Sequence, residues 1–193
     1  MSLTLSQDPP ADALLDREPF ALLLAMLLDQ QVPMERAFAA PYGLQQRLGQ
    51  ALDPRTLAEY DPEALGELFA RPPALHRYPR AMAGRVQELS RAVVERYDAD
   101  VTALWRGVPD AAELLARLVA LPGYGKQKAQ IFLALLGKQR GVQPSGWREV
   151  AGSYGDEGVY RSVADVTDAR SLARVREHKQ RMKAAAKAAK QTG

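Results

Sequence analysis

The sequence predicts an all-α fold. Three observations carry that expectation. Apolar residues recur at helical spacing along most of the chain, no stretch sustains the two-residue alternation of a strand, and Pro and Gly punctuate the chain between periodic segments.

In chain order, Asp8–Pro9 is positioned to cap a short first helix. Pro19 to Gln31 follows as an apolar helix, and Pro33 to Leu48 as the next. Asp53–Pro54 and Asp61–Pro62 each set a capping Asp before a Pro at the first helical position, which starts two short helices. Arg80 to Tyr97 reads as a long amphipathic helix with Met82, Val86, Leu89, Val93 and Val94 on one face. Asp110 caps a helix from Ala111 to Ala120, and after the turn Leu121-Pro-Gly-Tyr-Gly125 another runs from Lys126 to about Lys138. Gly141 to Tyr160 holds five Gly and one Pro and shows no helical period, so it is expected to be a loop. A basic helix from about Asp168 to Lys190 closes the chain.

Composition narrows the chemistry. The chain has 193 residues, 47% of them hydrophobic and 25% charged, and no cysteine. Disulfides, thiolate zinc sites, iron–sulfur clusters and a Cys nucleophile are therefore excluded. The longest apolar run, Phe20 to Leu28, is too short to span a bilayer, and the acidic N-terminus (Asp8, Asp12, Asp16, Glu18) is unlike a signal peptide. A soluble cytoplasmic protein, associated with the nucleoid, is expected. The net charge is +3, but from Arg170 onward eight Lys and Arg face the single Glu177, a +7 segment on a body of −4. A basic arm on an acidic body suits a polyanion. It is also what a solubilising terminal helix looks like.

The sharpest signal is Leu121-Pro122-Gly123-Tyr124-Gly125-Lys126-Gln127-Lys128-Ala129. Glycine permits the positive φ of a tight turn and lets another backbone come close. The N–H groups of Gly123, Gly125 and Lys126 stand at a helix N-terminus, an anion site by construction, and Lys126 and Lys128 add charge. A plain αα-hairpin, with glycines only making the turn, is the alternative.

These residues resemble the hairpin of the helix-hairpin-helix (HhH-GPD) DNA glycosylases, the superfamily of endonuclease III and the oxoguanine, adenine-mismatch and alkylated-base glycosylases. The resemblance runs in order from about residue 19 to 140 and on toward 175. Leu27-Leu28-Asp29-Gln30-Gln31 is similar to the end of that family's early helix, whose terminal polar residue intrudes into the duplex; Gln31 takes that place. The resemblance implies a fold of two helical lobes. The middle lobe would span about 33–135 with the hairpin at 111–138, the second lobe 1–32 and 140–175, and the basic helix 170–193. It further implies DNA contact by Gln31, Gly123, Tyr124, Gly125, Lys126, Gln127 and Lys128. A monovalent cation would rest on the carbonyls of Val119, Leu121 and Tyr124, with no other cofactor. Such enzymes flip a damaged base out of the duplex and cleave its N-glycosidic bond with help from a carboxylate.

Two departures shape the expected activity. The lyase members carry Lys at the seventh hairpin position, where this chain has Gln127. The family's acid lies about twenty residues beyond, in a Val-Asp context, and Val142-Gln143-Pro144-Ser145-Gly146 holds none. The nearest similar stretch is Ser162-Val163-Ala164-Asp165-Val166, which makes Asp165 the expected acid and Asp168 its reserve. Trp147, Tyr154 and Tyr160 are candidates for stacking on a flipped base. His76 and His178 are expected at the surface. The leading expectation is a monomeric, monofunctional DNA glycosylase acting on damaged double-stranded DNA. A non-catalytic damage-recognition protein and a protein-interaction scaffold are the alternatives.

Overall fold

A computed structural model describes residues 2–191. The described residues form ten α-helices: α1 (Pro9–Arg17), α2 (Pro19–Leu28), α3 (Met34–Leu48), α4 (Pro54–Glu59), α5 (Pro62–Ala70), α6 (Pro79–Tyr97), α7 (Ala111–Val119), α8 (Lys126–Gln139), α9 (Trp147–Ala151) and α10 (Ala169–Gln191). Short 3-10 turns cover Val101–Leu104, Gly152–Tyr154 and Val163–Asp165. No strand occurs among the described residues, and none of their helices is long and apolar enough to cross a membrane.

Helix starts follow local chemistry. Asp53 accepts the Thr56 N–H at 2.7 Å, Asp61 that of Ala64 at 2.8 Å, and Asp110 that of Glu113 at 2.9 Å, each relieving an orphan donor of the first turn. Asp8 departs from expectation, since its side chain makes no cap bond. Asp12, one turn on, instead accepts the Ser6 N–H and hydroxyl, both at 2.8 Å. The segment 141–160 also differs from the loop expected. Trp147 drops onto α8 over Gly137, and that contact, not a local period, winds the five residues of α9. A helix this short has no sequence period to detect.

The centre is α2, where every residue from Phe20 to Leu28 is buried. A helix apolar on all sides needs neighbours on all sides. Against it pack α1, α3, the 101–104 turn and α6, while α6 carries α4 and α5 on its other flank. The α3 helix, assigned from sequence to the middle lobe, packs chiefly on α1 and α2. The α8 helix is the second spine, contacting α7, α9 and the 163–165 turn, with α10 next to that turn. One continuous apolar core joins these groups. The N-terminus is tied across the molecule through Asp16, which accepts the Leu3 N–H at 3.1 Å and pairs with Arg140 at the end of α8 at 2.8 Å.

Candidate nucleic-acid interface and active site

The hairpin is the turn from α7 to α8. Leu121 donates its N–H to Leu118 at 3.0 Å, and Tyr124 donates to Leu121 at 3.1 Å, closing the chain back on α7. Gly123 sits at φ 80°, and a β-carbon there would strike the Leu27 side chain. The Tyr124 ring is buried, and its hydroxyl donates to the Leu23 carbonyl at 2.6 Å, pegging the turn to α2. That burial raises the phenol pKa well above its ordinary value. Tyr124 therefore belongs to the core, and only its backbone is available to a duplex. Gly125, the N-cap of α8, has an ordinary φ of −72°, and a β-carbon there would meet no atom within 4 Å. Among the described residues, the N–H groups of Lys126, Gln127 and Lys128 have no backbone or side-chain acceptor. Exposed Gly125 thus precedes a set of unpaired donors that begins at exposed Lys126.

The end of α2 meets the hairpin. Sequence spacing extended this helix to Gln31, but it stops at Leu28 and the chain turns, with Gln31 exposed at φ 57°. Lys128 and His76 capture its last carbonyls, and Arg85 holds the side chain of Gln30 just beyond them. Lys128 reaches Met26, Leu27 and Asp29 at 2.6, 2.9 and 3.3 Å. The His76 Nε2 lies 3.1 Å from the Leu28 carbonyl and 3.0 Å from that of Gln30. Arg85 donates to the Gln30 amide oxygen at 3.1 Å.

Two expectations are corrected here. Lys128 was expected to add its charge at the hairpin's anion site, yet its amine is spent on the carbonyls that end α2; burial lowers its pKa from 10.5 to about 8, with Asp29 pulling it back up. His76 was expected at the surface, yet it is 1% exposed. Its Nδ1 accepts the Tyr78 N–H at 3.0 Å, which fixes the proton on Nε2, and burial lowers its pKa. Sequence reasoning missed both because their partners lie 46–48 and 99–102 residues away, with no local pattern to mark them.

A cavity of about 540 Å³ opens beside the hairpin helix. It is lined by Gln127, Ile131, Ser153, Tyr154 and Arg161, and from α10 by His178, Lys179 and Met182. Gln127 donates to the Tyr154 hydroxyl at 2.8 Å across its wall. Of the three aromatic candidates, only Tyr154 stands here. Trp147 is buried on α8 with the Arg148 guanidinium 4.4 Å from its ring centre, and Tyr160 is covered by Arg174 at 4.6 Å beside a different cavity.

Asp165 borders that other cavity, of about 360 Å³. Its Oδ1 accepts from Lys138 at 2.6 Å, and its Oδ2 takes the N–H groups of Arg161 and Ser162 at 2.8 and 3.1 Å. Lys138 lies eleven residues along α8 from Gln127, about 16 Å at helical rise. Asp168 is exposed and caps α10, accepting the Ser171 N–H at 2.6 Å, a bond that lowers its pKa. Neither carboxylate lines the cavity beside the hairpin. Two others approach it through their partners: Asp29, 3.9 Å from the Lys179 amine with its side chain 12% exposed, and Asp156, 2.6 Å from Arg161 but 54% exposed. Among the described residues no cluster of three or more His, Cys, Asp or Glu could hold a metal.

A glycine turn pegged to a buried helix, with unpaired N–H groups facing out beside a cavity, defines a helix-hairpin-helix protein built to meet a nucleic-acid backbone. The model of the HhH-GPD superfamily of base excision DNA repair proteins matches residues 24–192, and the chain belongs to this family. Comparison with curated proteins gives no match. The protein is thus an all-α base-excision DNA repair protein whose partner is DNA.

Proposed function

We propose that the chain is a monofunctional DNA glycosylase that holds damaged duplex DNA by its hairpin and hydrolyses the N-glycosidic bond of a flipped base. The observation that carries this reading is the cavity beside Gln127, open next to the unpaired hairpin donors and walled by Tyr154. Gln31, exposed at the turn beyond α2, fills the space that the base leaves. An amide, not an amine, faces the cavity from the hairpin, which favours water as the attacking species. Asp29 is the carboxylate we assign to stabilising the sugar cation: it is more buried than Asp156, and the end of α2 holds it in place. The carbonyls of Val119 and Tyr124 have no protein donor among the described residues, a donor set that suits a monovalent cation. Such an ion, shared with Leu121, would screen phosphate charge at the turn.

A panel of lesion-bearing duplexes tests the reading. The wild-type protein should release one class of base, leave the strand unnicked, and give no borohydride-trapped complex. Asp29→Asn should lower single-turnover release roughly 100-fold or more, as loss of a positioned charge-stabilising group does, whereas Asp165→Asn and Asp168→Asn, where still folded, should not. Trapping that disappears in Lys179→Ala would overturn the monofunctional reading. A second reading, a damage-recognition module without chemistry, is favoured by the lack of any carboxylate among the cavity's lining residues. Saturable lesion binding with no base release from the whole panel would establish it.

A further inference from the structure

The last helix carries a basic stripe whose course relative to the hairpin can be traced. Gln139, at the end of α8, donates to the carbonyls of Ala164 and Val166 just ahead of α10, at 2.8 and 3.1 Å. Gln127, at the start of α8, shares its cavity with His178, Lys179 and Met182. The two helices therefore run in opposite senses, and α10 draws level with the hairpin by Met182. Residues 183–191 then continue about 13 Å further at helical rise.

Arg176, Lys179, Lys183, Lys187 and Lys190 follow one another at steps of three or four residues, which places all five within an arc of about 80°. The direction of that arc is set by its first two members. Arg176 pairs with Glu35, and Lys179 reaches Asp29 at 3.9 Å. Both acids flank the α2–α3 connection that carries Gln30 and Gln31. Beyond Lys179 the same stripe runs on without acids: Lys183, Lys187 and Lys190 are exposed and make no ion pair among the described residues, and the residues between them, Ala184, Ala185, Ala186, Ala188 and Ala189, are exposed alanines. A charged stripe pinned at one end and uncovered at the other lacks a polyanion.

We propose that Lys183, Lys187 and Lys190 grip the phosphate backbone of the duplex flanking the segment held by the hairpin, with the Arg176 and Lys179 contacts aiming the arm. From Lys183 to Lys190 the helix advances about 10 Å, some three base-pair steps of duplex. The inference rests on the DNA-binding reading and adds to it a second phosphate contact.

The test is fluorescence anisotropy with an undamaged duplex over a salt series. It compares wild type, K183Q/K187Q/K190Q, truncation after Met182, and Gly125→Val. Glutamine keeps the helix while removing charge. The slope of log affinity against log salt should fall by about 2.7 in the triple variant, the share expected of three neutralised phosphates. Truncation should match it, and at physiological salt affinity should drop at least tenfold. Folded triple and truncated variants with the wild-type slope, alongside a weakened Gly125→Val, would overturn the arm and leave the hairpin standing. A wild type that binds no duplex at any salt would instead overturn the reading on which the inference rests.

Discussion

At Gly123 the backbone lies at φ 80° and a β-carbon would run into Leu27, whereas at Gly125 φ is −72° and a β-carbon would meet nothing. Substituting valine at the two positions should therefore separate folding from binding. Gly123→Val should cost about 1–3 kcal/mol of stability through backbone strain alone. Gly125→Val should melt near the wild-type temperature yet bind every duplex roughly tenfold more weakly, because backbone N–H to phosphate contacts carry no sequence information. Thermal melts paired with anisotropy check this, and unaltered affinity in folded Gly125→Val would remove the hairpin from the interface. Lys128 offers a pH signature. Its folded pKa is depressed to about 8 from 10.5, so between those values the unfolded chain holds a proton that the folded chain has released. Stability from this group accordingly rises with pH across that window. Lys128→Met should flatten the rise, and the carbonyls left unpaired should cost about 1–3 kcal/mol. Urea midpoints from pH 7.5 to 10.5 decide the matter; equal slopes in both proteins would exonerate the amine.

The α8 helix serves two tasks from opposite ends. Its first turn presents the hairpin donors, and its last holds the 141–166 segment through Trp147 over Gly137, Gln139 on Ala164 and Val166, and Lys138 on Asp165. Trp147→Ala should destabilise by about 3–5 kcal/mol, the usual cost of emptying a large aromatic site. Gly137→Ala should push the indole off its seat and cost about 1–3 kcal/mol. Because the two groups touch, the double variant should cost less than the sum of the singles. Thermal denaturation of the four proteins completes the cycle, and strict additivity would mean that α9 is held by something else.

Across the whole molecule, sequence and structure agree at most local signals, the Asp8 cap and the end of α2 excepted. Asp-Pro starts, apolar periods and the glycine turn each act within one or two turns of chain, and Asp53, Asp61 and Asp110 cap where their positions imply. What the sequence did not disclose is long-range. The burial of His76 and Lys128, the separation of Trp147, Tyr154 and Tyr160 into three environments, and the engagement of Asp165 by Lys138 all depend on where distant segments meet. The site was thus legible as a hairpin and illegible as a pocket. The capture of the α2 terminus by Lys128, His76 and Arg85 also bears on how quickly a complex can form. Two helices and a loop spend their donors on one short turn, so the awkward left-handed geometry at Gln31 is met while the chain folds. The wedge proposed at Gln31 would then meet a duplex already formed, with no segment left to order. Association should follow a single exponential that scales with protein concentration, without the concentration-independent lag of a turn that must first find its shape.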